Sequence, residues 1–186
     1  MKKKLDSILE DISERLANAE SVREASIASS RKVIRLSKNT IHAIHSKEDC
    51  SATRKEMREI VSMMDKESHA SKDAMMEYAE AEILYAIVNY EELPTPTDLG
   101  IDEGSWLMGM ADTIGELRRI VVTHLMDTNI DEAKYLFSIM DELCEGLLVF
   151  DVPDSILPIR RKQDIARGII ERTRSDLLNA SISFGR

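Results

Sequence analysis

Glycine is scarce in this chain, with seven among 186 residues, and proline scarcer still, with four. With so few breakers and no alternating strand pattern, the sequence is expected to fold as all-α. Two cysteines, Cys50 and Cys144, are too few for a disulfide framework or a zinc site, so both are expected as reduced thiols. Eight aromatic residues argue against a stacking platform for unpaired bases and favour recognition of backbone and shape in any nucleic-acid partner. No apolar run approaches the ~18 to 20 residues of a membrane span. Met1 to Lys4 lead into Leu5 and Asp6 and not into a signal-peptide core, so a cytoplasmic protein without membrane contact is expected. Phosphate-binding glycine loops, nucleophile elbows and dinucleotide fingerprints are absent as well.

What the chain does contain is helical periodicity. Leu5, Ile8, Leu9, Ile12 and Leu16, continued by Val22, Ile27, Ile34, Ile41 and Ile44, predict one long helix over about 3 to 47. A second pattern covers about 50 to 91, with a break near Ser68 to Ser71. Pro94, Pro96 and Gly100 mark a loop, and three further helices are expected over 103–127, 130–150 and 158–180. The length suits one domain, 1–186, with one good-sized core. Ten methionines read as core filler.

Charge is segregated along this frame. From Asp73 through Leu117 there are eleven acidic residues and no Lys, Arg or His. Residues 23–47 instead hold Arg23, Arg31, Lys32, Arg35, Lys38 and Lys47 against Glu24 alone, and residues 154–174 hold six basic groups against three acidic ones. The net charge of -9 therefore conceals cationic surfaces that can hold phosphates beside an acidic centre. Arg160, Arg161 and Lys162 open the last helix, where the dipole adds to their pull on anions, although a simple helix end explains them equally well.

Within the acidic segment, Glu77 and Glu80 stand at i,i+3 and Asp112 and Glu116 at i,i+4, so each pair projects from one helical face. Like charges so placed repel unless a cation lies between them. Glu80 also falls inside the apolar stripe of Met76, Ile83, Leu84 and Ile87, where an unpartnered carboxylate costs several kcal/mol. Asp112 points away from the stripe of Leu107, Met110, Ile114, Leu117 and Val121, toward Gly109 and Gly115, so spacing alone leaves both a metal site and a solvated face open. Oxygen-only donors suit Mg²⁺ or Mn²⁺. None of the four histidines has a Glu three residues before it, which argues against a di-iron bundle. His42 and His45, at i,i+3 on the basic helix, read as surface residues or as phosphate or metal contacts.

Glu77-Tyr78-Ala79-Glu80-Ala81, followed by Gly109-Met110-Ala111-Asp112-Thr113-Ile114-Gly115-Glu116-Leu117, resembles the Trax branch of the translin family. Arg23-Glu24, Ser30 to Ile34, Thr40-Ile41 and His45 are similar to that family's first helix, and residues 130–176 fit its C-terminal half. The resemblance implies about seven helices and a hollow homo-octamer that binds RNA or single-stranded DNA. It further implies a Mg²⁺-dependent endoribonuclease site with Glu77, Glu80 and Asp112 as ligands, and with Glu116 as a fourth ligand or general base. The short 92–102 loop and the lack of a basic targeting run imply a compact homo-oligomeric relative of archaeal or prokaryotic type. Arg23, Arg31, Lys32, Arg35, Lys38, His42 and His45 are the nucleic-acid candidates. The other open readings are a translin-like binding oligomer without significant catalysis and a helical scaffold with no nucleic-acid role.

Overall fold

The computed structural model describes residues 2–66 and 68–184, and it is all-helical there, with no strand among the described residues. The outermost positions of the expected 1–186 domain lie outside the described residues. Seven helices follow in order: α1 (Lys2–Ser46), α2 (Ser51–Met63), α3 (His69–Val88), α4 (Pro96–Leu99), α5 (Glu103–Met126), α6 (Ile130–Leu148) and α7 (Arg160–Phe184). The C-terminal half of α1, with α3 and α5, makes the central layer. Helix α2 leans on α1, while α6 and α7 cover the far side of α5.

The boundaries follow local chemistry. Ser68 and Asp102 cap α3 and α5 by accepting from the backbone N–H groups of Ser71 and Ser105. The expected loop around Pro94 to Gly100 is in part a single helical turn, because Thr95 and Asp98 form a capping box around Pro96 and Gly100 ends the turn in the left-handed region. With glycine scarce, other helices end on side-chain residues in that region: Lys47 after α1, Tyr90 after α3 and Thr128 after α5. Each is held by the chain folding back, as in the bonds from Glu48 N to Ala43 O and from Asn129 N to His124 O, both 2.8 Å.

Helix α3 is the axle of the fold. The stripe read from its sequence is only part of what it buries, because Ala74, Met75, Tyr78, Ala79, Ala81, Ile83, Leu84, Ala86 and Ile87 are all buried between α1, α2 and α5. A helix packed on nearly every side has no polar face to spare, so any charge on it needs an explanation. At the other extreme, residues 2–25 of α1 are exposed throughout. They form a rod of about 36 Å that presents Leu5, Ile8, Leu9, Ile12 and Leu16 to solvent.

Candidate active site

A close crossing of α3 and α5 places the acids. A Cβ added at Gly109 of α5 would lie 2.5 Å from Met76 O, 2.7 Å from Ala79 Cβ and 2.8 Å from Glu80 N, so the two backbones meet where only glycine fits. One turn on, Thr113 is fully buried against the same stretch of α3 and donates to Gly109 O at 3.0 Å. This contact lays Asp112 and Glu116 of α5 alongside Glu77 and Glu80 of α3. Asp112 is half-buried and not on a solvated face, because the Gly109 side of α5 is covered by α3.

Most of the eleven acids between residues 73 and 117 have ordinary explanations. Asp98 and Asp102 are caps. Glu82, only 1% exposed, accepts from Arg54 Nε and Nη2 at 3.1 and 2.8 Å and from Arg58 Nη2 at 2.5 Å. Asp73, Glu91, Glu92 and Glu103 face solvent. The remainder are Glu77, Glu80, Asp112 and Glu116, the four acids expected from spacing and resemblance.

These four are not equivalent. Burial first, then the carboxylates of Asp112, Glu77 and Glu116, push the Glu80 pKa up to about 8, with Lys162 pulling the other way. Glu77 is raised in the same direction by burial, with Asp112 and Asp73 adding to it and Lys38 and Lys162 opposing it. Neither side chain makes a hydrogen bond or ion pair with the described residues. Asp112, by contrast, holds the ammonium of Lys162 on both of its oxygens. Glu116 Oε2 accepts from His45 Nε2 at 2.5 Å and from Arg119 Nη1 at 2.7 Å. The His45 bond is the main cause of its lowered pKa, with the Arg119 charge also contributing. Among the described residues, no three of these donors are arranged as a preformed metal cage.

The basic residues of α1 divide as well. Arg31, Arg35, Lys38, His42 and His45 recur at four- and three-residue steps, so they share one face of the helix. That face runs beside the acids, since Lys38 acts on Glu77 and His45 bonds Glu116. His45 is therefore mostly buried against Glu116, to which it is hydrogen-bonded, and is not a free surface contact. Lys32 turns instead toward α2, with Nζ 2.6 Å from Glu56 Oε1. Arg23 stands on the exposed rod. Two features escape a reading of the sequence: Lys162 as a partner of Asp112, and Glu82 as a buried charge. Both depend on contacts far apart in the chain, and no spacing signal carries either.

The donor set fits a hard divalent ion. It consists of carboxylate oxygens without sulfur, and two of the carboxylates are half-buried and unpartnered among the described residues, with pKa values raised by burial and by neighbouring negative charge. Both thiols lie elsewhere in the core, raised in pKa by burial, and are inert as ligands here.

Comparison with known proteins gives the setting. No family model matches the chain. It is 34% identical over 173 residues to the uncharacterized protein MJ0175 of Methanocaldococcus jannaschii, covering 88% of this chain and 78% of that protein. Its fold is similar to that of AfC3PO in complex with duplex RNA, with a TM-score of 0.87 and 28% identity over 95% of this chain and 97% of the other. The crystal structure of AfC3PO gives 0.85 and 29% over 96% and 99%. Apo-NeC3PO gives 0.85 at 23% identity over 93% and 97%, a likeness that bears on fold alone.

Proposed function

We propose, from the premise that the chain belongs to the translin family, that it is a metal-dependent endoribonuclease of the Trax type. In this reading Glu77, Glu80 and Asp112 hold Mg²⁺ or Mn²⁺, and RNA lies along the cationic face of α1. The observation that carries it is the α3–α5 crossing at Gly109, which gathers three carboxylates and leaves Glu77 and Glu80 without a partner among the described residues. A bound ion would supply an activated water and charge stabilisation at the phosphate. The residues of the chain do the rest. Arg31, Arg35 and Lys38 attract the RNA backbone, and Glu116, held by His45 and Arg119, keeps the α1 and α5 faces in register. Engaged in this way, Glu116 serves better as a positioning group than as a fourth ligand.

The exposed apolar stripe of the α1 rod supports a homo-oligomer, and the family resemblance supports an octamer, of eight times 21.0 kDa. AfC3PO has been solved with duplex RNA, so both duplex and single-stranded RNA belong among the probes, with single-stranded DNA as a third. The second reading, a translin-like binding oligomer without significant catalysis, draws on the Lys162 ammonium that already sits on Asp112.

One experiment separates the two. Purified protein, its mass checked by light scattering, is incubated with labelled RNA in Mg²⁺ or in chelator, alongside Asp112→Asn. Cleavage that needs the ion and falls by about a hundredfold or more in the variant, with RNA binding retained, is the expected outcome. Cleavage at the wild-type rate by Asp112→Asn removes Asp112 from the site. Binding without cleavage in either protein leaves the translin-like reading.

A further inference from the structure

Among the described residues, Lys162 is the cation bonded to a carboxylate of the proposed site, Asp112, and its position is built and not incidental. It belongs to the first turn of α7, where the positive end of the helix dipole disfavours a cation. That turn is pinned on both sides of it. Ile159 is fully buried, and Gln163 Nε2 donates to Leu147 O at 2.9 Å and to Phe150 O at 2.7 Å, closing α7 onto the end of α6. Further along, Arg118 of α5 donates to Thr173 and Asp176 of α7 at 2.7 and 2.8 Å, so the two helices are docked independently of Lys162. The lysine is therefore not needed to hold α7 in place. What its ammonium does is neutralise Asp112, contacting both carboxylate oxygens at once, while its charge also stabilises ionised Glu77 and Glu80.

We infer that Lys162 is a placeholder cation, which occupies Asp112 in the metal-free protein and must be displaced before a divalent ion can bind there. The inference rests on the proposed metal site. Its physical basis is competition: an ammonium in contact with both oxygens of Asp112 places its charge where a divalent ion at about 2.1 Å would stand, and the two cations repel. Charge points the same way. One lysine set against three carboxylates leaves too little positive charge for Glu80 to ionise below about pH 8, and a divalent ion exchanging for the lysine would supply that charge. Such an exchange weakens metal binding relative to an empty cluster and protects the metal-free site from its own repulsion.

The test measures Mn²⁺ binding by calorimetry and by electron paramagnetic resonance, using wild type, Lys162→Met and Asp112→Asn in the full-length protein. Methionine keeps the stem and removes the charge. Lys162→Met should bind Mn²⁺ about tenfold tighter than wild type or better, an increment of the size one competing ionic contact supplies. In chelator it should melt below wild type, and Mn²⁺ should raise its melting temperature by more than it raises that of wild type. Lys162→Gln, which retains a polar end, checks the result should the methionine variant lose its helical circular dichroism. Equal Mn²⁺ affinity in wild type and both lysine variants, with binding abolished in Asp112→Asn, would overturn the placeholder role and leave the metal site standing. Failure of Mn²⁺ to bind wild type and the lysine variants alike would overturn the metal site, and the inference with it.

Discussion

Glu80 and Glu82 stand two residues apart on the same buried helix and have opposite environments. Glu82 is enclosed by two guanidiniums from α2, one of which, Arg54, also lies 3.2 Å from the centre of the Tyr85 ring. Its negative charge also helps to hold the Tyr78 hydroxyl at a pKa of about 12, after burial as the main cause. Glu80 receives no such partner, and its pKa rises to about 8. A buried acid closed by permanent cations is a structural tie. A buried acid left among other acids is held neutral by its surroundings, and in the proposed function it is the acid that a bound divalent ion would let ionise.

The largest effect expected from this contrast is on stability at the closed site. Glu82→Ala leaves the mostly buried Arg54 uncompensated and should cost about 3 to 5 kcal/mol, the usual penalty for breaking a buried pair from one side. Urea denaturation in chelator and in Mg²⁺ should show the same loss, because no exchangeable ion is involved. A Glu82→Ala protein as stable as wild type would mean that Glu82 and Glu80 differ less than their contacts indicate.

At the open site the expected change has the other sign and depends on pH. Below pH 4.5 folded and unfolded chains both hold the Glu80 proton. Between 4.5 and about 8 the folded chain keeps a proton that the unfolded chain has released, so raising the pH favours unfolding. Glu77 adds to the same trend. Glu116, whose pKa is lowered, loses its contribution only as the pH falls below that range, so it does not mask the slope. Wild type in chelator should therefore lose stability steadily from pH 4.5 to 8, by an amount on the order of 1 to 3 kcal/mol once partial solvation is allowed for. Glu80→Gln should flatten the curve and stand above wild type at pH 8, and saturating Mn²⁺ should flatten it too. A wild-type profile flat across that range would show that Glu80 is not held neutral by its surroundings.

Much of this frame is legible in the sequence. The long first helix, the break near Ser68 to Ser71 and the last three helices follow from periodicity and from the few prolines and glycines, because those signals are local. The four acids are legible because like charges at helical spacing stand out, and because the order of motifs resembles a known family. What cannot be read is how α3 is enclosed. An amphipathic stripe says which face is apolar, not that the other faces are covered too, so Glu82 passes as one more surface acid. Lys162 is hidden for a related reason. It reaches Asp112 only because Ile159 and Gln163 fix the start of α7, and that anchoring is a tertiary event.

The smallest expected effect concerns the cations, which divide as the acids do. Arg54 and Arg58 spend their charge on Glu82, whereas Arg31 and Arg35 are exposed on the α1 face beside the open cluster, with no ion pair to the described residues. Only the second pair is free to release counterions when RNA binds. Arg31→Ala with Arg35→Ala should weaken binding of single-stranded RNA regardless of sequence. It should also reduce the slope of log K against log salt by about 0.7 for each phosphate that is no longer neutralised. Arg58→Ala removes the more exposed guanidinium from Glu82 and leaves Arg54 in place, so it should lower the denaturation midpoint while leaving the salt slope unchanged. Titrations at several salt concentrations, with urea melts of the same proteins, read both quantities. If Arg58→Ala flattens the slope as much as the α1 variants do, the cations around Glu82 also meet RNA, and the division between a closed structural site and an open functional one fails on its basic side.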